Sequence, residues 1–277
     1  MKKAILVVSF GTSYADTRKL TIEKIEDKVR KAFTDYEVRR AFTAHIIIKI
    51  LKERDGIIEN TPEEALQRLA DENYDEVIVQ PLHIIPGEEF DYVVSVVKSF
   101  QQKGLFKVLK FGRPVLFFKG FDGEIPDDYD IMVDSIKSVI PLDRAAIFMG
   151  HGSSHPSNAC YSCLQHVFFD KGYRNVFIGT VEGYPTLQDV IVRLKEKSIS
   201  KVTLIPLMLV AGDHAKNDMA SDEEYSWKTI LLEAGFEVEI FMHGLGELEE
   251  FQDIYIQHIK DIIIGCYDEI GATKKGK

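Results

Sequence analysis

The sequence predicts an α/β protein of two similar halves, each a parallel sheet with helices on both faces. Three observations carry that expectation. Short apolar runs alternate with longer stretches of helical spacing along the whole chain, the pattern of parallel sheets. Ala145-Ala-Ile-Phe-Met-Gly-His-Gly-Ser-Ser154 reads as a buried central strand that stops at glycine and leaves His151 at its end. That stretch also has an earlier counterpart, Ala4-Ile-Leu-Val-Val-Ser-Phe-Gly-Thr-Ser13, in which Phe10 stands where His151 stands. A second pair agrees: Pro81-Leu-His-Ile-Ile-Pro-Gly-Glu-Glu89 against Pro206-Leu-Met-Leu-Val-Ala-Gly-Asp-His214. Each half thus runs from a Gly-Thr/Ser-Ser loop to a Gly-acid loop, and Glu89 and His214 become equivalent positions.

Taken in order, residues 4–9 form the first strand, and 17–33 have the spacing and charge of an exposed helix covering the sheet. A strand at 37–42 and an apolar helix around 46–51 follow. Asn60-Thr-Pro-Glu-Glu64 is a strong helix start, with proline in the first turn and acids at the positive end of the dipole. The third strand is expected at 76–80, a helix at 91–100 and a fourth strand at 105–111. Gly120-Phe-Asp-Gly-Glu-Ile-Pro126 is the best boundary, giving halves of 1–122 and 123–277. Strands near 145–149, 175–180, 201–205 and 237–241 repeat the rhythm. Residues 247–264 are helical and apolar on one face, so this last helix must dock on something, the first half being one candidate.

Composition narrows the function. The 277 residues suit two domains of ordinary size. A net charge of -10 with no basic stripe argues against generic nucleic-acid binding, though not against an anionic small molecule. Three cysteines are too few for a disulfide framework and suit a reducing compartment. Cys160 and Cys163 make a lone C-x-x-C inside an expected helix, with no second pair to complete a zinc site. Lys2-Lys3 and the short apolar run after it break at Ser9 and Gly11, too early for a signal peptide. No run approaches the roughly 18 apolar residues of a membrane span. A cytoplasmic protein without membrane attachment is expected, and a homo-oligomer is allowed.

Four polar groups fall at or just after strand ends: Glu89, His151, Glu182 and His214. In open α/β sheets ligands bind outside the carboxyl ends of the strands. Imidazoles with carboxylates suit a borderline divalent ion such as cobalt, nickel, zinc or ferrous iron, and also proton transfer near neutral pH. Gly150-His-Gly-Ser-Ser lacks the central serine of a hydrolase elbow, and no strand is followed by G-x-G-x-x-G or a Walker sequence. A nucleotide cofactor is therefore not expected. His83 is read as mid-strand, and His45, His166 and His258 as helical, all four with structural roles. His155 could close a helix start as easily as touch a ligand, and His243, after a strand, is left open.

At this point a resemblance is plain. The pieces Val7-Val-Ser-Phe-Gly-Thr-Ser13, Arg40-Ala-Phe-Thr43, Gly87-Glu-Glu89, Met149-Gly-His-Gly152, Val181-Glu182 with Tyr184-Pro185, and Pro206 to Asp222 resemble the anaerobic cobaltochelatases of cobalamin biosynthesis, the CbiK type of class II chelatase. His243 lies outside these motifs, and Gly183 is a mild variation where the family often has a small residue. The resemblance implies a chelatase-like fold of two Rossmann-like halves with a tetrapyrrole in an active-site cleft between them. It implies that His151 and His214 are the metal-binding and proton-accepting pair, Glu182 a further metal ligand and Glu89 a catalytic group of the first half. Ser9, Phe10, Gly11, Thr12, Ser13, Ser153 and Ser154 would line the tetrapyrrole. The implied reaction inserts Co(II), a substrate metal, into sirohydrochlorin (or precorrin-2) with release of two protons and needs no organic cofactor. Its rivals are the same chemistry with ferrous iron or nickel, and a metal- or tetrapyrrole-binding protein without turnover.

Overall fold

The computed structural model describes residues 1–120 and 123–267. By internal contacts the chain forms two compact units: residues 1–18 and 22–115 with the segment from Gln252, and residues 19–21 with 116–251.

In the first unit the elements are β1 (Lys3–Ser9), α1 (Ala15–Leu20), α2 (Ile22–Ala32), β2 (Glu37–Phe42), α3 (His45–Ile50), α4 (Pro62–Asp71), β3 (Glu76–Pro81), α5 (Glu88–Lys103) and β4 (Val108–Phe111). In the second they are α6 (Asp128–Ile136), β5 (Ala145–Gly150), α7 (Ala159–Asp170), β6 (Val176–Thr180), α8 (Leu187–Glu196), β7 (Lys201–Pro206), α9 (Trp227–Glu233) and β8 (Glu237–Ile240), after which α10 (Glu249–Ile263) closes the described chain. The two sheets run β2-β1-β3-β4 and β6-β5-β7-β8, with every pairing parallel. The expected repeat is therefore present in topology as well as in motif: β5 to β8 occupy the order of β1 to β4.

That order fixes where a ligand can bind. From β5 the chain crosses to β6 on one side of the sheet, then returns to β7 on the other, so the loops after β5 and β7 diverge and leave a crevice at their carboxyl ends. Beneath them β5 is buried throughout and β7 from Val202 onward, as a central parallel strand with helices on both faces must be. Ile147, Met149, Phe177, Val190, Leu194, Leu204, Met219 and Trp227 share one core on which the loops rest.

Several expectations are corrected. The 17–33 helix is two helices broken at Thr21, a buried residue that stands between α1 and α2. The fourth strand begins at Val108, because Gly104 ends α5 in the left-handed region and the N–H groups of Lys107 and Val108 first turn back to Asp75 O. His83 lies beyond β3, which stops at Pro81. Of the boundary segment, Phe121 and Asp122 lie outside the described residues. On either side of them the Gly120 N–H donates to Pro126 O at 3.2 Å. Among the described residues no helix is long and apolar enough to cross a membrane.

Candidate active site

Met149 and Gly150 close β5 in full burial, and the next residue, His151, emerges with 47% of its side chain exposed. Its Nδ1 lies 3.0 Å from Gly152 O and 4.0 Å from Glu182 Oε2. Both neighbours can only accept a hydrogen bond, so Nδ1 carries the proton and Nε2 keeps its lone pair.

His214 follows β7 and opens a short π-helical turn, Ala215–Met219. That turn brings Asp218 onto the same face, and Nδ1 of His214 lies 2.5 Å from Asp218 Oδ2. The carboxylate again assigns the proton to Nδ1 and leaves Nε2 free. Such a carboxylate–imidazole pair both orients a ring and makes its free nitrogen a better donor to a metal or proton. The two imidazoles meet edge to face, with centroids 4.6 Å apart and planes at 89°. Two histidines 63 residues apart by number (214 − 151) thus share one tautomer and one place at the switch point of the sheet.

Glu182 sits in the loop after β6 with 62% of its side chain exposed. Its backbone N–H donates to His151 O at 2.8 Å, which holds the residue beside the histidine. Among the described residues no group of three or more His, Cys, Asp or Glu side chains stands close enough to enclose a metal ion by itself. What the loops offer is two imidazole donors with an exposed carboxylate at their edge. Beneath them Tyr161 is buried, its phenol pushed up to about 12 by that burial, and its oxygen accepts the Gly152 N–H at 3.4 Å.

The other expected residues are placed as follows. Ser153 gives its Oγ to the His155 N–H at 3.0 Å, and Ser154 is exposed. His155 caps the turn at Pro156–Asn158, accepting from Ser157 N–H. Glu89 belongs to the first unit, in the first turn of α5, where three acids face the helix's positive end. Ser9 and Thr12 are buried, Thr12 Oγ1 accepting the Tyr14 N–H, while Phe10 is exposed at the end of β1. Gly11 has φ +94 and packs its open face against the Phe42 ring; Ser13 O accepts from Arg54. His45 and His166 are helical, and His258 Nδ1 lies 3.1 Å from Arg113 O in the interior. His243 forms a separate exposed pair with Glu247 at 2.9 Å. Cys160 and Cys163 are free, and burial pushes both thiols up, which disfavours the thiolate a metal needs.

Sequence reasoning missed Asp218, although its signal was readable: an acid four residues after a histidine shares its helical face.

Comparison with known proteins adds a family, two relatives and two solved structures. The model of the family described as "Cobalt chelatase (CbiK)" matches residues 3–264. A sirohydrochlorin cobaltochelatase of Salmonella typhimurium is 40% identical, over 97% of this chain and 99% of that protein. Sirohydrochlorin cobaltochelatase CbiKC of Nitratidesulfovibrio vulgaris is 32% identical, over 93% of this chain and 89% of its own. Among solved structures, SirB from Bacillus subtilis with Fe3+ superposes with a TM-score of 0.61 at 14% identity, covering 94% and 95% of the two chains. CbiX, titled the terminal enzyme for biosynthesis of siroheme in denitrifying bacteria, gives 0.55 at 17% identity, covering 93% and 98%. These two likenesses speak for the fold alone.

Proposed function

Because this chain belongs to the CbiK cobalt chelatase family, we propose that it is a sirohydrochlorin cobaltochelatase. It inserts Co(II) into sirohydrochlorin and releases the two pyrrole protons. The observation that carries the reading is the His151–His214 pair, each ring held as the Nδ1–H tautomer with Nε2 unused.

The chemistry asks for weak, exchangeable holding. An ion must leave water, rest on the protein and pass to four ring nitrogens that lose protons as they bind it. Neutral imidazoles suit cobalt without trapping it, because an open ligand set leaves positions for water and for the incoming macrocycle. Once a nitrogen lone pair is released by the departing metal, it can take a pyrrole proton. Asp218 stabilises the imidazolium that then forms on His214, and Glu182 stands next to His151 for the same service or as a further ligand. In this reading Glu89 serves in catalysis, and Ser9 to Ser13 with Ser153 and Ser154 line the tetrapyrrole; the support is the resemblance of their motifs to the family's. The substrates are the tetrapyrrole and the divalent ion; no organic cofactor enters the scheme.

The test is optical. Sirohydrochlorin and Co(II) are mixed with protein at a hundredth of their concentration or so, and the spectrum of the metallated ring is followed. Many turnovers per protein molecule are expected. A spectral change that stops at one equivalent would instead identify a binding protein.

A further inference from the structure

The loops that bear His151 and Glu182 are joined by one side chain. Asn158 ends the short turn before α7, where its Oδ1 accepts the Ser153 N–H at 3.1 Å and its Nδ2 donates to Tyr184 O at 2.7 Å. A backbone N–H requires an acceptor and a carbonyl requires a donor, so the partners settle the orientation of the amide. Ser153 is two residues from His151, and Tyr184 is two residues from Glu182. The bases of the two loops are tied separately: Val181 N–H donates to Gly150 O at 3.1 Å and Glu182 N–H to His151 O at 2.8 Å. Thr180 then closes the Glu182 loop on itself, its N–H and hydroxyl both donating to Pro185 O at 2.6 and 3.0 Å.

Two glycines keep the space for this tie. A Cβ on Gly183 would lie 2.3 Å from Asn158 Oδ1 and 3.0 Å from Ser153 N. Gly152, at φ +84, would put a Cβ 2.6 Å from Gly183 N. The tips of the loops are thus drawn together around Asn158, and Gly152 O, the acceptor that fixes the tautomer of His151, is carried on one of them.

We propose that Asn158 is a positioning residue for metal holding: by clamping the Ser153 and Tyr184 backbones it fixes the loop tips, and with them the side-chain placement of His151 and Glu182, whose backbones are already joined at the loop bases. The inference rests on the insertion reading above and goes beyond it by assigning cobalt affinity to a residue that touches neither metal nor tetrapyrrole. Without the amide, the strand-end hydrogen bonds still hold the loop bases, but the tips part, and the carbonyl that orients His151 moves with them.

Co(II) itself is the probe. Its visible absorption is titrated into wild type, Asn158→Ala, Asn158→Asp and Gly183→Ala, with His151→Ala as the control that marks the signal from this site. Asn158→Asp keeps an acceptor for Ser153 and sets a carboxylate against Tyr184 O; Gly183→Ala forces Asn158 aside without removing it. All three variants should keep the far-UV CD spectrum and bind Co(II) about tenfold or more weakly, within the range for lost outer partners of metal ligands. In turnover the cobalt KM should rise by a like factor while the sirohydrochlorin KM stays within about twofold. Cobalt affinity within about twofold of wild type in both Asn158 variants overturns the proposal. So does an equal rise in both KM values, since that marks general loss of the loops. A wild type that binds cobalt with the His151-dependent signal yet never turns over sinks the insertion reading instead, and the affinities still decide the clamp.

Discussion

His214 can offer Nε2 as a ligand only while its Nδ1 keeps the proton, and Asp218 is what keeps it there. Asp218→Ala should therefore weaken Co(II) binding by about 10- to 100-fold, measured by the same titration, with Asp218→Glu recovering part of it. His151→Ala and His214→Ala should each remove most insertion at unchanged thermal stability, because both side chains stand outside the core. If the pair works as a unit, the double variant is little worse than either single one. A His214→Ala protein with near-normal turnover would move the proton chemistry to Glu89 or Glu182. A different histidine controls stability. Both ring nitrogens of His83 are shut off from solvent without a hydrogen-bond partner, although the residue keeps a partly open edge, and burial lowers its pKa to about 4. The unfolded chain, with an ordinary value near 6.5, binds a proton that the folded chain refuses, so stability is full above about pH 6.5 and falls as pH drops toward 4. The loss is of order 3 kcal/mol. His83→Phe should flatten that slope in denaturant titrations run from pH 7 to 4; a slope identical to wild type would clear His83 of the effect. The strand-end position of His151 was legible because Gly150 stops a buried strand visibly; His214, expected just after a strand end, lies well beyond Pro206, where β7 stops, and opens the turn Ala215–Met219. The place of His83 was not legible, since Leu82 and His83 prolong an apolar run while Leu82 N–H already bonds Val8 O at the margin of the sheet.

Between elements, periodicity located most strands and misjudged where helices break. Thr21 interrupts α1 and α2 within one charged, helical-looking stretch, and nothing in the spacing of 17–33 marks it. The capping box at Thr61, by contrast, was written in the sequence: Thr61 Oγ1 accepts Glu64 N–H and Glu64 returns the bond. The tie of α2 to β2 is a long-range fact that no local pattern carries. Glu26, 1% exposed, receives both Nε and a terminal nitrogen of Arg40 at 2.6 and 2.7 Å. Arg40 lies in one of the family-like stretches, and here its task is to satisfy a buried carboxylate. Removing the acid takes the two shortest carboxylate contacts from a guanidinium in a partly dry site, so Glu26→Ala should cost about 3 kcal/mol. Equilibrium urea unfolding measures it. A cost below about 1 kcal/mol would mean that Glu59 and Glu23, 3.1 and 3.6 Å from Arg40, suffice to hold it.

At the scale of the whole chain, the repeat announced two sheets of like topology, and the strand orders agree. What the repeat could not announce is the unit to which α10 belongs. An apolar helical face says that a helix docks and not where. The partners are far off in sequence: Tyr255 Oη donates to Leu82 O at 2.9 Å, Lys28 meets Asp253 at 2.8 Å, and buried Arg113 meets Asp261 at 2.9 Å. With Tyr255, Ile259 and Ile262 buried, the closing helix is from Gln252 onward a structural part of the first unit, although the second unit precedes it in sequence. Asp261→Ala takes a buried carboxylate away from the Arg113 guanidinium, 3% exposed, and should cost about 3 kcal/mol. The single tryptophan of the chain, Trp227, sits in the core of the second unit and reports on that unit by fluorescence. The far-UV CD midpoint of Asp261→Ala should therefore fall further than its Trp227 fluorescence midpoint, because the lost interaction lies wholly within the first unit. Equal displacement of both curves would show that the two units unfold as one cooperative body.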